Sequence, residues 1–180
     1  MTKQSWKIFW DLQCPFAKKN WERFPEIKKR FADQFDFSVY LTSLAFHPQA
    51  FPGQCAAKLI ENFKGTDARF KFIDACYANQ ERYTNKALGD ARMSEIDSVF
   101  CDIAKEAGIL DEKFNEDFFL ANVHDWTEVV KPAYEEHKIA MGYGVFGTPK
   151  HVIEDELVLE SESSWGPDEW ANVVDRLKSQ

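Results

Sequence analysis

Alternating apolar and polar positions mark two short segments near the start of the chain. Residues 5–10 form an aromatic run and residues 35–41 alternate apolar and polar side chains, which is typical of strands. Between them, apolar side chains recur at helical spacing, at Ala17, Trp21, Phe24, Ile27 and Phe31. The pattern therefore predicts a strand, a helix and a second, parallel strand, joined by a right-handed crossover.

Prolines and glycines divide the helical regions. Pro15 suits the first turn of the first helix, where its missing N–H costs nothing, whereas Pro25 predicts a kink or a break inside that helix. Residues 43–53 contain two further prolines and are interpreted as a loop. Pro132 predicts a kink farther along, and Gly108 is interpreted as a helix C-cap.

The middle of the chain carries stripes of helical period and no strand pattern. Asp111 is a candidate cap for the fourth of five predicted helices. The five stripes are Ala56, Leu59, Ile60 and Phe63; Phe70, Ile73 and Tyr77; Ile96, Val99, Phe100, Ile103 and Ala107; Phe114, Phe118 and Phe119; and Trp126, Val129, Val130, Ala133 and His137.

After a glycine-rich turn at residues 142–147, the period changes again. Short apolar runs predict strands at residues 150–153 and 157–160, paired as an antiparallel hairpin, and Pro167 opens a last helix. The order is βαβ, helices, then ββα. It predicts an α/β protein with a four-stranded mixed sheet, the first two strands near residues 6–11 and 35–41. Residues 1–43 plus 142–180 would form this unit, and residues 44–141 an all-helical insertion.

Composition narrows the classes of function. The 180 residues carry a net charge of −8, which disfavours binding to nucleic acid. No apolar run approaches the ~20 residues of a membrane span, and the N-terminal residues lack a secretory apolar core, so we expect no membrane contact and a cytoplasmic location. Four widely spaced cysteines form no CxxC pair and no metal-binding pattern, which predicts free thiols and no metal site.

Cys14 is the cysteine placed for chemistry, because it lies between the first strand and the first helix. The N–H groups and partial positive charge of a helix start stabilise an anion. A thiol at this position loses its proton more easily, and the thiolate is the nucleophile. The alternative interpretation is a small capping residue, and position alone does not separate the two.

Two segments carry a family resemblance. They are Phe9-Trp10-Asp11-Leu12-Gln13-Cys14-Pro15-Phe16-Ala17 and Gly144-Val145-Phe146-Gly147-Thr148-Pro149, the second leading into the hairpin. With the helical insertion, the chain resembles thioredoxin-like proteins of the DsbA family over nearly its whole length. The resemblance implies a thioredoxin fold, Cys14 as nucleophile, and a cis Thr148–Pro149 bond that offers its backbone to an extended substrate.

The sequence departs from the family pattern at Ala17, where the resolving cysteine would stand. Cys14 can still attack a disulfide, but release of the mixed disulfide then needs an outside thiol such as glutathione. Each of the other cysteines, Cys55, Cys76 and Cys101, is most simply a small buried apolar residue.

Three hypotheses follow from these residues. The first is a monothiol thiol-disulfide oxidoreductase linked to glutathione, acting on a small thiol or a protein disulfide. The second is a glutathione transferase or isomerase similar to the kappa class, which shares this architecture, and the third is a binding protein that kept the groove. Glutathione is expected as a co-substrate, and no other cofactor is expected. The sequence leaves open whether the protein forms a homodimer. Candidate substrate contacts beside Cys14 are Trp10, Pro15, Phe16, Phe146 and His47.

Overall fold

The structure is a computed structural model that describes residues 2–179. It contains a 3₁₀ turn at Gln80–Tyr83 and a π-helical turn at Trp126–Val130. Its strands and α-helices are β1 (Gln4–Trp10), α1 (Pro15–Phe31), β2 (Phe35–Leu41), α2 (Ala50–Lys64), α3 (Thr66–Ala78), α4 (Asn85–Leu88), α5 (Met93–Glu106), α6 (Glu116–Asn122), α7 (Lys131–Gly142), β3 (Lys150–Ile153), β4 (Glu156–Leu157) and α8 (Pro167–Lys178).

The four strands form one mixed sheet in the order β2-β1-β3-β4. The central strand β1 pairs in parallel with β2, with Trp6 opposite Phe37, and antiparallel with β3, with Ile8 opposite His151. The fold class predicted from the sequence is thereby confirmed. The predicted fourth strand, residues 157–160, was too long, because β4 is Glu156–Leu157, with one further bond from the Val158 N–H to the His151 carbonyl before the chain turns away with Leu159 exposed.

The helices between β2 and β3 run from Ala50 to Gly142, and the described residues of this stretch contain no strand. The predicted thioredoxin-like unit includes residues 1 and 180, and both lie outside the described residues. Within residues 2–179, no helix is both long and apolar enough to span a membrane.

Three of the helix details predicted from the sequence were wrong. Helix α1 continues through Pro25, which lies on its exposed side, so the break that this proline predicted does not occur. Helix α2 begins at Ala50, so the predicted loop at residues 43–53 is shorter, and Pro52 lies in the first helical turn. Helix α6 is capped by Asn115, whose side chain accepts from the Phe118 N–H, and not by Asp111.

Gly108 and Pro132 lie at the ends of helices, the first after α5 and the second at the start of α7. Gly108 follows the end of α5 with φ +65°, a left-handed conformation that glycine adopts without strain. Pro132 lies in the first turn of α7. The helical irregularity of this region is the π-helical turn at Trp126–Val130, which directly precedes α7.

The aromatic side chains build the core on one face of the sheet. Trp6, Ile8 and Trp10 alternate along β1, and all three are fully buried. The Trp6 ring packs within 5.0–5.5 Å of several aromatic rings, measured between ring centroids: Phe31, Phe35, Phe37 and Trp170. The contacts with Phe35 and Trp170 are edge-on, a geometry that adds to the stabilisation from burial. Through Phe31 and Trp170, these rings pack α1 and α8 against the sheet.

A chain of buried hydrogen bonds crosses this core. The Trp6 Nε1–H donates to His151 Nδ1 at 2.9 Å, and His151 Nε2 lies 3.1 Å from Asn20 Oδ1, which also accepts from Trp10 Nε1 at 2.8 Å. His151 must therefore be neutral, with its proton on Nε2. Burial, assisted by the charge of Lys150, lowers the pKa of His151 to about 3.

We expect the free energy of unfolding to fall as the pH is lowered from about 6.5 towards about 3. Because the folded pKa of His151 lies below its unfolded value, the unfolded chain gains a proton that the folded protein excludes. The stabilisation is complete above the unfolded pKa and is lost below it, by up to about 1.4 kcal/mol per pH unit. Denaturant titrations between pH 7 and pH 4 measure this slope. In the His151→Gln variant, the free energy of unfolding should change less with pH, by an amount that corresponds to up to one proton taken up on unfolding. Equal pH dependence in the two proteins would contradict the prediction.

Candidate active site

The turn between β1 and α1 carries the candidate nucleophile. Cys14 is the N-cap residue of α1, in an extended conformation, and Pro15 occupies the first helical position. The Cys14 carbonyl accepts the first helical hydrogen bond from the Lys18 N–H at 3.1 Å. The thiol therefore lies at the positive end of a helix of 17 residues, where an anion is stabilised.

The second motif meets this turn because β1 and β3 are antiparallel neighbours. Phe9 near the end of β1 pairs with Lys150 at the start of β3, so the residues before β3 lie beside the Cys14 turn. The Cys14 thiol donates to the Thr148 carbonyl oxygen, with 3.3 Å between sulfur and oxygen. The Thr148–Pro149 peptide bond is cis. The Thr148 hydroxyl is buried and has no hydrogen-bond partner in the described part of the chain.

Ala17 lies one helical turn after Cys14 on the same side of α1. Its side chain is fully buried, whereas Cys14 keeps 4% of its surface exposed. Alanine at this position supplies no second sulfur, so α1 cannot close a disulfide with Cys14.

The other three thiols lie in helices of the insertion, Cys55 in α2, Cys76 in α3 and Cys101 in α5, and all are buried. Burial, with a contribution from Asp97, raises the pKa of Cys55 to about 12, and burial raises the pKa of Cys101 to about 11. Burial also raises the pKa of Cys76 well above its ordinary value. Since the thiolate is the reactive form, these groups are poor nucleophiles at neutral pH.

The backbone of the Cys14 turn is held by side chains of the insertion. The Asp11 carbonyl accepts from the Tyr77 hydroxyl at 3.2 Å, and the Leu12 carbonyl accepts from Gln80 Nε2 at 2.8 Å. The Tyr83 hydroxyl lies 3.1 Å from the Leu12 carbonyl oxygen and 2.7 Å from that of Cys76. Burial raises the pKa of Tyr77 and Tyr83, so both hydroxyls remain protonated donors.

Helix α2 also approaches this turn closely, at a glycine. A Cβ added at Gly53 would lie 2.9 Å from Leu12 Cδ1 and 2.7 Å from two ring carbons of Phe100. Such distances are shorter than van der Waals contact, so only glycine permits this packing of α2 against Leu12.

Asp11 is the buried charge of the site, and sequence reasoning missed it. Its Oδ1 accepts from the Gln13 and Cys14 N–H groups, at 2.7 and 3.2 Å. Its Oδ2 accepts from the Leu44 N–H at 2.8 Å and contacts His47 Nδ1 at 2.9 Å. Burial raises the pKa of Asp11, and the Leu44 N–H and His47 oppose that effect. An Asp three residues before the helix start is typical of a turn in which the carboxylate caps backbone N–H groups, and that signal could have identified it.

Two depressions flank the Cys14 turn. The first is a cleft beside Pro149, in which Phe16 keeps 63% of its surface exposed; its lining includes Phe16, Gly147, Thr148, Pro149, Lys150 and Glu162. The second is a more apolar groove whose lining includes Leu44, Phe46, His137, Met141 and Phe146. Phe146 is 82% exposed there. Exposed aromatic side chains beside a groove are typical of binding surfaces.

The residues predicted as substrate contacts fall into three groups. Pro15 and Phe16 lie at the exposed start of α1, with Phe16 in the cleft, and Phe146 lies in the second groove. His47 contacts Asp11 and keeps 15% of its side chain exposed. The prediction for Trp10 was wrong, because this side chain is fully buried between Trp21 and Phe24 and cannot reach a substrate.

No protein-family model and no curated protein matches the sequence of this chain. Its structure is similar to that of a candidate protein-disulfide isomerase from Pseudomonas syringae, with a TM-score of 0.76 and 17% identity over 95% of this chain and 93% of that one. BdbD from Bacillus subtilis aligns with a TM-score of 0.70 and 18% identity, over 96% of this chain and 86% of its own. The thiol-disulfide exchange protein alpha-DsbA2 from Wolbachia pipientis aligns with a TM-score of 0.68 and 17% identity, over 98% and 82%.

These likenesses span most of each chain, at identities that establish the fold and not the reaction. The neighbours are DsbA-like thioredoxin-fold proteins, and they confirm the resemblance predicted from the sequence. This chain therefore has the thioredoxin fold of the DsbA-like proteins, and its own helical insertion lies between the second and third strands.

Proposed function

We propose that the protein is a monothiol thiol-disulfide oxidoreductase in which Cys14 is the nucleophile and glutathione the co-substrate. The observation that carries this proposal is the position of Cys14, at the N-cap of α1 and 3.3 Å from the carbonyl oxygen that precedes Pro149. The buried Ala17 makes release by an outside thiol necessary.

The reaction has two exchange steps. The Cys14 thiolate attacks one sulfur of a disulfide that contains glutathione, forms a Cys14–glutathione disulfide, and releases the other sulfur as a thiolate. A second glutathione thiolate then attacks the glutathione sulfur of this adduct. That step restores the Cys14 thiolate and yields glutathione disulfide, so sulfur oxidation and reduction balance over the cycle.

The cleft beside Pro149 suits a substrate that carries an apolar group next to its disulfide. Phe16 supplies an exposed aromatic wall, and the backbone at residues 147–149 borders the same cleft. An extended peptide bound there would use backbone contacts for affinity and the aromatic wall for preference. In this cycle the substrate is a mixed disulfide of glutathione with a protein or with a small thiol. Four unpaired thiols fit the cytoplasm, where disulfides are rare.

A binding role without thiol chemistry is the second candidate. It is favoured by the exposure of Phe146 and Phe46 in the second groove. The experiments below separate the two, because a binding protein needs the groove and does not need the sulfur of Cys14.

Incubation with oxidised glutathione should add one glutathione to the protein. Because α1 supplies no resolving thiol, the adduct should persist until free thiol is added. Intact-mass measurement of the protein and of Cys14→Ser follows this, and the variant should remain unmodified. An adduct of equal yield in both proteins would show that another cysteine reacts, and no adduct in either would favour the binding role.

Replacement of Ala17 by cysteine should shorten the lifetime of the Cys14–glutathione adduct. A thiol one helical turn away can attack the mixed disulfide intramolecularly, and well-placed groups of this kind reach effective concentrations far above those of free thiols. The matched control is Ala17→Ser, which has nearly the same volume without the sulfur. Equal adduct lifetimes in both variants would mean that residues 14 and 17 lack the required geometry.

Phe16→Ser should weaken the reaction with an apolar peptide disulfide by several-fold, mainly through KM, since a partly buried aromatic contact contributes roughly 1 kcal/mol. The control is Phe63→Ser, which removes a comparably exposed ring that packs on Phe114 and Phe118 instead. Steady-state kinetics on both variants make the comparison. If Phe63→Ser had the larger effect, the cleft beside Pro149 would not be the substrate site.

A further inference from the structure

The Asp11 carboxylate joins two segments that are distant in the sequence. One oxygen accepts from the N–H groups of Gln13 and Cys14, and the other contacts Leu44 and His47 in the loop after β2. The carboxylate has no exposed surface. Its four partners therefore replace the water that an exposed carboxylate would bind.

His47 is the side-chain member of this set. Within residues 2–179, it is the side chain that hydrogen-bonds the Asp11 carboxylate, at 2.9 Å, and the remaining partners are backbone N–H groups. Because a carboxylate can only accept, His47 Nδ1 carries the proton of this hydrogen bond. A charge-assisted hydrogen bond in a buried setting holds its partners more firmly than a neutral one.

His47 also connects the Cys14 turn to the second groove. The Phe46 ring packs edge-on against the His47 ring, with 4.6 Å between ring centroids. Phe46 is 63% exposed and lines the groove together with Phe146. The His47 ring thus touches a groove wall on one side and the carboxylate that binds the Cys14 N–H on the other.

We propose that His47 is a positioning residue for Cys14, acting through Asp11. The Nδ1–H donor fixes the turn that aims the sulfur at Thr148 and offsets the negative charge of the carboxylate next to the thiol. Loss of this donor leaves a less compensated negative charge beside Cys14, which disfavours the thiolate. The inference rests on the reactive Cys14 of the proposed function, but not on glutathione as its co-substrate.

The test compares two isosteric variants of the full chain. His47→Asn places its amide N–H where Nδ1 lies, whereas His47→Gln places it one bond farther, where Nε2 lies. The measured rate is that of alkylation by iodoacetamide at pH 7, in which the Cys14 sulfur displaces iodide; Cys14→Ser gives the background. We expect His47→Gln to react about 3- to 10-fold more slowly than the unchanged protein, because a smaller fraction of the Cys14 thiol is then ionised. A tenfold change corresponds to one pK unit. His47→Asn should stay within about twofold, since it retains the neutral hydrogen bond.

A double-mutant cycle separates action through Asp11 from a general loss of structure. In the Asp11→Asn background, His47→Gln should have no further effect on the alkylation rate, because the carboxylate charge is already gone. His124→Gln, a change of a half-exposed histidine in the insertion, should leave the rate unchanged.

Equal rates for His47→Asn and His47→Gln would overturn the proposal, as would an undiminished effect of His47→Gln in the Asp11→Asn background. Failure of Cys14 in the unchanged protein to alkylate at all would also overturn it, since His47 would then serve no reactive thiol. If instead alkylation follows the expected pattern and no glutathione adduct forms, the positioning role stands and the glutathione-linked function falls.

Discussion

The four residues from Asp11 to Cys14 are the point at which the sheet and the helical insertion depend on each other. This turn leaves the central strand and enters α1, and the carbonyl groups of Asp11 and Leu12 have neither a strand nor a helix partner there. Tyr77, Gln80 and Tyr83 supply the missing donors. Buried carbonyls without these donors would destabilise the turn, so the insertion is required for the site as well as for its own core.

A second buried network sets the direction in which α1 leaves the turn. The chain from Trp6 through His151 and Asn20 to Trp10 joins β1, β3 and α1 by hydrogen bonds inside an aromatic core. Aromatic packing alone would permit small rotations of α1, whereas each hydrogen bond fixes one distance and one angle. The position of Cys14 relative to Thr148 thus follows from polar contacts that a purely apolar core would lack.

The sequence predicted the elements of the fold well and their partners poorly. Alternation along residues 35–41 and the proline at the start of α8 identified both elements, because these signals are local. The local turn at Asp11 carried a signal in the sequence, but its contact with Leu44 and the contact of Tyr77 with the Asp11 carbonyl join residues 33 and 66 positions apart, which no periodicity reports. Trp10 shows the opposite case, since its alternation with Trp6 and Ile8 already placed it on the core face of β1.

The buried alanine at position 17 changes the kind of equilibrium that governs oxidation. A protein with two neighbouring thiols can hold two oxidising equivalents within one molecule, and the ratio of its two forms at a given potential does not depend on any third concentration. With Ala17 in that place and the other three thiols in the insertion, a disulfide at Cys14 joins two molecules. Its population then follows mass action, so it rises and falls with the concentration of whichever thiol shares the bond. The protein would therefore report the supply of its co-reactant as much as the redox potential of its surroundings.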